Sequence, residues 1–130
     1  MKSIIAALLL IFVCSSSFCQ QSYLPGFIIS SNGDSMQVTL QEEIRSELLL
    51  QVKYKKDNAS SNISIARAGD IKGFGYIGGS VYKSISLADD PADSINVKNY
   101  FAEQLLAGAC DLFVFSKKDR QVYIVNKENH

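Results

Sequence analysis

The sequence predicts a mainly β fold, a small antiparallel sandwich or partly open barrel of about seven strands. Three observations carry this. Short runs of alternating apolar and polar residues recur along the 130-residue chain, turn-forming clusters separate them at close spacing, and two glycine-bearing dipeptides, Asn32-Gly33 and Gly78-Gly79, sit between β-rich arms.

The first arm, Gly26 to Ser30, is apolar and β-branched. In the arm after Asn32-Gly33, Met36, Val38 and Leu40 alternate with Ser35, Gln37, Thr39 and Gln41. Asn-Gly between such runs predicts a hairpin whose two central residues both take positive φ. Gln41 to Ser46 is polar and reads as a connection. Glu47 to Lys55 reads as a strand with Leu48, Leu50, Val52 and Tyr54 on one face. Lys56 to Asn62 is a turn rich in residues that bond their own backbone, and Ile63, Ile65 and Arg67 continue as a further strand. After Gly69-Asp-Ile-Lys-Gly73, the arms Phe74–Ile77 and Val81–Leu87 flank Gly78-Gly79 as a second hairpin.

Ala88 to Ser94 holds a proline and three aspartates, a composition that predicts a loop. The next stretch supports two readings. Tyr100 to Ala107 spaces its apolar residues as a helix does, with Gly108 at the C-cap position, so a short helix near 98–107 is the favoured reading. A strand entering a Gly108 turn is the alternative. Asp111–Phe115 and Gln121–Val125, around a Ser-Lys-Lys-Asp-Arg turn, make the closing hairpin.

Residues 1–19 read as a secretory signal peptide and 20–130 as a single β-rich domain. One positive charge at Lys2 precedes an apolar run from Ile4 to Val13, then a small-residue stretch. That run is too short for a membrane-spanning helix, which needs roughly 20 apolar residues, and the mature chain shows no transmembrane segment. Ser17 and Cys19 suit a peptidase and leave Gln20 or Gln21 first. A lipid-anchored rival, with Cys14 or Cys19 modified, is disfavoured by the Val13 and Phe18 that precede them. The expected location is therefore exported: periplasm, outer-membrane-associated or extracellular.

Thirteen basic residues balance thirteen acidic ones, so no electrostatic footprint for nucleic acid or an anionic membrane is present. With Cys14 and Cys19 in the leader, Cys110 stands alone, and no internal disulfide is available. Its setting, Ala107-Gly-Ala-Cys-Asp-Leu-Phe113, reads as a small buried hydrophobe. An intermolecular disulfide or a reactive thiol are the alternatives. An exported domain of about 110 residues without disulfides suggests a bacterial periplasm or cell surface more than an animal secretory pathway. The single histidine is the final residue, His130, a poor place for a triad or a zinc ligand.

The sequence offers no catalytic, cofactor-binding or metal-binding residues, and no cofactor is expected. Gly69 to Gly75 is glycine-rich but lacks the Gly-Lys-Ser/Thr of a phosphate loop and precedes a strand, so it reads as a tight turn in which Asp70 bonds the following amides. Asp89, Asp90 and Asp93 lack calcium-loop spacing and read as a solvated loop. Glu42, Glu43 and Glu47 lie in polar sequence, and Glu103 reads as the wet side of the helix. Asn58 and Asn62 begin glycosylation sequons that matter only in a eukaryotic host, and Asp34-Ser-Met and Asp93-Ser-Ile fit a loose bacterial O-glycosylation pattern. Tyr23, Tyr54, Tyr76, Tyr82, Tyr100 and Tyr123 fit the core or its rim better than a sugar platform, given that the chain has no tryptophan.

Gly26-Phe-Ile-Ile with Asn32-Gly33-Asp34-Ser35, then Asp70-Ile-Lys-Gly-Phe74, then Phe101, Leu105, Gly108 and Leu112-Phe113, resemble a group of exported Bacteroidetes proteins without assigned activity. The chain departs from that pattern at Ala107-Gly-Ala-Cys110, where a charged residue commonly flanks the glycine. The resemblance implies a stand-alone β domain or an N-terminal module of an envelope protein. The reading that follows is a non-enzymatic interaction module whose partner is an envelope protein. The alternatives are a small Asp/Glu-dependent hydrolase or lyase, and a lipid-anchored envelope assembly factor.

Overall fold

The computed structural model describes residues 21–43, 50–90, 93–108, 110–117 and 120–127. The expected signal peptide, half of the Gln41–Ser46 connection, Leu48 and His130 lie outside them. Among the described residues nine strands form one antiparallel sheet: β1 (Tyr23–Ser30), β2 (Ser35–Gln41), β3 (Gln51–Lys55), β4 (Ser64–Arg67), β5 (Ile71–Tyr76), β6 (Val81–Asp90), β7 (Asp93–Leu106), β8 (Cys110–Lys117) and β9 (Arg120–Lys127). Their spatial order is β4-β3-β2-β1-β5-β6-β7-β8-β9. Two up-and-down meanders are therefore joined through the β1–β5 pair, and the sheet stays open, with β4 and β9 as its edges.

The first hairpin forms where Asn32-Gly33 predicts it, with a different turn. The amide of Gly33 donates to the Ser30 carbonyl at 3.0 Å, and Ser30 and Asp34 pair at 2.9 Å. This is a three-residue loop with Gly33 at its left-handed position, φ +95°, in place of a two-residue turn with positive φ at both central residues. Its bulge delivers the extra twist that curls the sheet. The Gly78 hairpin is also three residues long, closed by Gly79 N–H on the Tyr76 carbonyl at 3.0 Å.

The stretch 98–107 is not a helix: all of it but Ala107 belongs to β7, fourteen residues long. Its middle is covered on both faces. Phe101 joins the main core, whereas Ala102 packs with Phe113, Ile85, Leu87 and Ile124 on the opposite side. Two covered faces produce consecutive apolar residues that imitate helical spacing, and pairing with β6 and β8 decides the outcome. The predicted loop Ala88–Ser94 shrinks for a related reason. β6 and β7 stay paired out to Asp90↔Asp93, with a shift of register between Ala88 and Asp90, but β5 pairs with β6 only at Val81–Lys83, and β8 with β7 only at Glu103–Leu106. Beyond those points the two strands form a ribbon on their own.

The main core draws Ile28, Val38, Leu40, Val52, Ala66, Phe74, Tyr82 and Phe101 from the first seven strands and Ala68 from the turn after β4. At its centre Phe74 stacks on Tyr82 (centroids 4.7 Å apart, rings 11° from parallel) and meets Phe101 edge-on at 4.9 Å. To bring these residues together the sheet curls until the turn after β4 rests on the β6–β7 ribbon. There the Ser84 hydroxyl donates to the Ala68 carbonyl, and Gly69 lies close against Asn99.

Candidate functional site

Two regions of surface stand out. The first is the seam where the β4–β5 turn crosses the ribbon. A cleft of about 430 Å³ on one side is bordered by Gln51, Arg67, Lys98 and Asn99, and one of about 250 Å³ on the other by Ser31, Lys72 and Ser84. Both share the Ala68–Asp70 turn. The turn is closed by the Asp70 amide on the Arg67 carbonyl at 2.9 Å, so the glycine-rich segment is a tight backbone turn that ties the curl shut.

The second region is the wing formed by β8 and β9. These strands pair residue for residue from Cys110↔Lys127 to Lys117↔Arg120, without a bulge. β9 ends the sheet, so alternate residues, about four of its eight, direct backbone N–H and C=O groups away from β8. Its side chains are apolar toward both faces. By register Tyr123 and Val125 share a face with Val114 and Leu112, and Ile124 lies with Phe113 on the other. Tyr123 and Val125 are each 59% exposed. The Tyr123 hydroxyl donates to Gln121 Oε1 at 3.0 Å, which lays the phenol along the strand.

The six tyrosines are thereby sorted. Tyr82 and Tyr100 are buried, Tyr54 and Tyr76 pack against the core, and Tyr23 hides its hydroxyl while Lys55 Nζ sits 4.2 Å from its ring centroid. Tyr123 is the large exposed one. Burial also pushes the Tyr76 phenol up from 10.0 to about 12, helped by Tyr82, Glu43 and Glu42 nearby, and its hydroxyl donates to the Gln41 carbonyl at 3.0 Å.

Two single-residue expectations are corrected. Cys110 is exposed, not buried, because it opens β8 on the uncurled wing rather than in the core. Glu103 is not on a wet face. It is 8% exposed and its Oε1 accepts a 2.6 Å hydrogen bond from Ser80, since β7 turns it to the same face as Phe101. Glu43 pairs with Lys53 at 3.6 Å, Glu42 is exposed, and Glu47 lies outside the described residues. The side chains of Asp89, Asp90 and Asp93 also lie outside the description. Among the described residues no helix is long and apolar enough to cross a membrane.

Compared with protein families, with curated proteins and with solved structures, the chain finds no match. The reading of function therefore rests on the wing and the seam themselves.

Proposed function

We propose that this protein is an exported, non-enzymatic interaction module that holds a partner protein of the cell envelope by adding a strand to the free edge of β9. The observation that carries the reading is the edge itself: eight residues, unbulged, apolar toward both faces. Monomeric sheets normally blunt such an edge with a bulge, a proline or an inward charge, and Val122 to Val125 contains none of these. Strand addition draws its affinity from main-chain hydrogen bonds and its selectivity from alternate side chains. The leader-like composition of residues 1–19 supports export, and the resemblance to exported envelope modules agrees with that setting.

The test is affinity capture from the native envelope after light cross-linking, with the purified chain and its Tyr123→Glu variant side by side. One reproducible envelope protein, retained by the unaltered chain and lost with Tyr123→Glu, is the expected result. Capture that ignores the substitution, or no specific capture at all, defeats the proposal.

A further inference from the structure

The tip of the β1–β2 hairpin holds a reactive pair that neither strand needs. Asn32-Gly33 is the one Asn-Gly in the chain; the other asparagines precede Ala59, Ile63, Val97, Tyr100, Lys127 and His130. A peptide nitrogen can attack the side-chain amide of an asparagine just before it. Glycine permits this best, because it has no Cβ to crowd the ring that forms and its backbone reaches conformations closed to other residues.

In this reaction the Gly33 nitrogen loses its proton and bonds to Cγ of Asn32, the bond from Cγ to the side-chain nitrogen breaks, and ammonia leaves. Water then opens the cyclic imide at one of its two carbonyls. One opening gives aspartate. The other gives isoaspartate, in which the main chain runs through Cβ and Cγ and is one atom longer. Nothing is oxidised or reduced.

The fold sets both the rate and the consequence. Ser31 to Asp34 are exposed, and among the described residues a Cβ added at Gly33 would meet only the flexible end of Lys72, its Nζ at 3.6 Å. Packing therefore does little to hold the tip. Hydrogen bonds hold it instead: the Gly33 amide on the Ser30 carbonyl at 3.0 Å, the Ser30 amide on the Asp34 carbonyl at 2.9 Å, and the Asp34 amide on the Ser30 hydroxyl at 3.2 Å. The first of these engages the proton that must leave, so the turn has to open before the ring can close. Only the tip has to open.

We infer that Asn32 is a site of spontaneous covalent modification, reached by local opening of the hairpin tip, whose two products have unequal consequences. Aspartate keeps the loop, since Asp-Gly suits a hairpin as Asn-Gly does. Isoaspartate does not. The three-residue loop fixes where β1 meets β2, Ile29 against Ser35 and Ile28 against Met36, and an added main-chain atom moves the Gly33 amide off the Ser30 carbonyl. The loosening enters at the end of β1, the strand that joins the two halves of the sheet.

The test incubates the purified chain in neutral buffer, follows the replacement of NH2 by OH at residue 32 by peptide mapping, and separates isoaspartate from aspartate by electron-transfer fragmentation. The folded chain should convert about tenfold more slowly than the urea-unfolded chain. Its rate should stay flat at urea concentrations below the unfolding transition, because opening a tip exposes little surface. Ser30→Ala removes one closing hydrogen bond and should speed conversion about threefold, in the folded chain only. The isoaspartyl chain should exchange the amide hydrogens of Ser30 and Asp34 about tenfold faster than the Asn32→Asp chain, with those of β5 unchanged.

An intact Asn32 in the folded chain after the unfolded chain has converted overturns the site. A rate that climbs with urea below the transition overturns tip opening, because the whole fold must then open first. Equal exchange at Ser30 and Asp34 in the isoaspartyl and Asn32→Asp chains overturns the unequal consequence.

Discussion

At one edge of the sheet, β4 is four residues long and leads straight into a turn latched to the ribbon by Ser84 and Asn99. At the other edge, β9 is twice that length and, among the described residues, has no strand on its outer side. Both strands are short apolar runs next to polar turns, and the two edges nonetheless end in opposite conditions. The difference lies in the curl. Residues of the first seven strands find one another across a concave face, and the closing turn spends its backbone groups on the ribbon. β8 and β9 lie past that closure, and their apolar residues join only the small cluster of Ala102, Phe113, Ile85, Leu87 and Ile124 rather than the main core. Curl protects one edge and, by closing early, leaves the other open.

Substitutions in the two regions should separate them. The largest effect is expected from Phe74→Ala, which removes the fully buried centre of the aromatic cluster. It should cost about 3–5 kcal/mol, read by urea denaturation, and a loss below about 1 kcal/mol would mean that the curled body is not the stability centre. Gly73→Ala comes next. A methyl group there would stand 2.4 Å from the Tyr82 carbonyl oxygen, a backbone atom that cannot step aside without disturbing β6. About 1–3 kcal/mol should be lost. Ser84→Ala unlatches the seam and should cost about 1 kcal/mol. Its more telling readout is hydrogen exchange, in which the amides of β4 should become as poorly protected as those of β9 while those of β1 and β5 stay protected.

A pH scan sharpens the comparison further. Tyr76 belongs to the curled body, and its phenol holds its proton up to about 12 in the fold against 10.0 when exposed. The folded state thus binds the proton more tightly, and this contribution to stability is complete below pH 10 and is lost as pH rises toward 12. Alkaline unfolding in that window should become shallower in Tyr76→Phe. An unchanged curve would show that the phenol is wetter than its hydrogen bond to Gln41 suggests. The smallest expected change in stability is that of Tyr123→Glu on the wing, within about 0.5 kcal/mol, even though the same substitution abolishes partner capture. If it unfolds the protein instead, the wing is a structural element and not a free edge.

Where a residue's fate depended on its immediate neighbours, it could be read in advance. The hairpin at Gly33 needed a left-handed residue, the period-two run Met36–Leu40 had only one buried face, and the chain turned at Gly69-Asp70 as expected, although β5 already begins at Ile71 and takes in Gly73. These features were legible because backbone sterics and a two-residue alternation act over a few positions. The helix expected near 98–107 failed for the opposite reason. A strand covered on both faces has no alternation to show, and only its pairing with β6 and β8 reveals it. Glu103 and Cys110 followed the same logic, one drawn into the core face by β7 and the other left outside by the position of the wing. The candidate edge was half visible: Gln121–Val125 read as a strand, yet nothing local marked it as the last in the sheet.

By itself, then, the order of residues determined a neutral β chain, most of its turns and most of its strands. Tertiary structure alone decided that these nine strands make one open sheet, that it curls until the Ala68 turn meets the β6–β7 ribbon, and that β9 remains outside the curl. The physical reason is that strand pairing is non-local. Which edge is covered depends on how far apart in sequence the buried partners lie, and on where the bulges let the sheet bend.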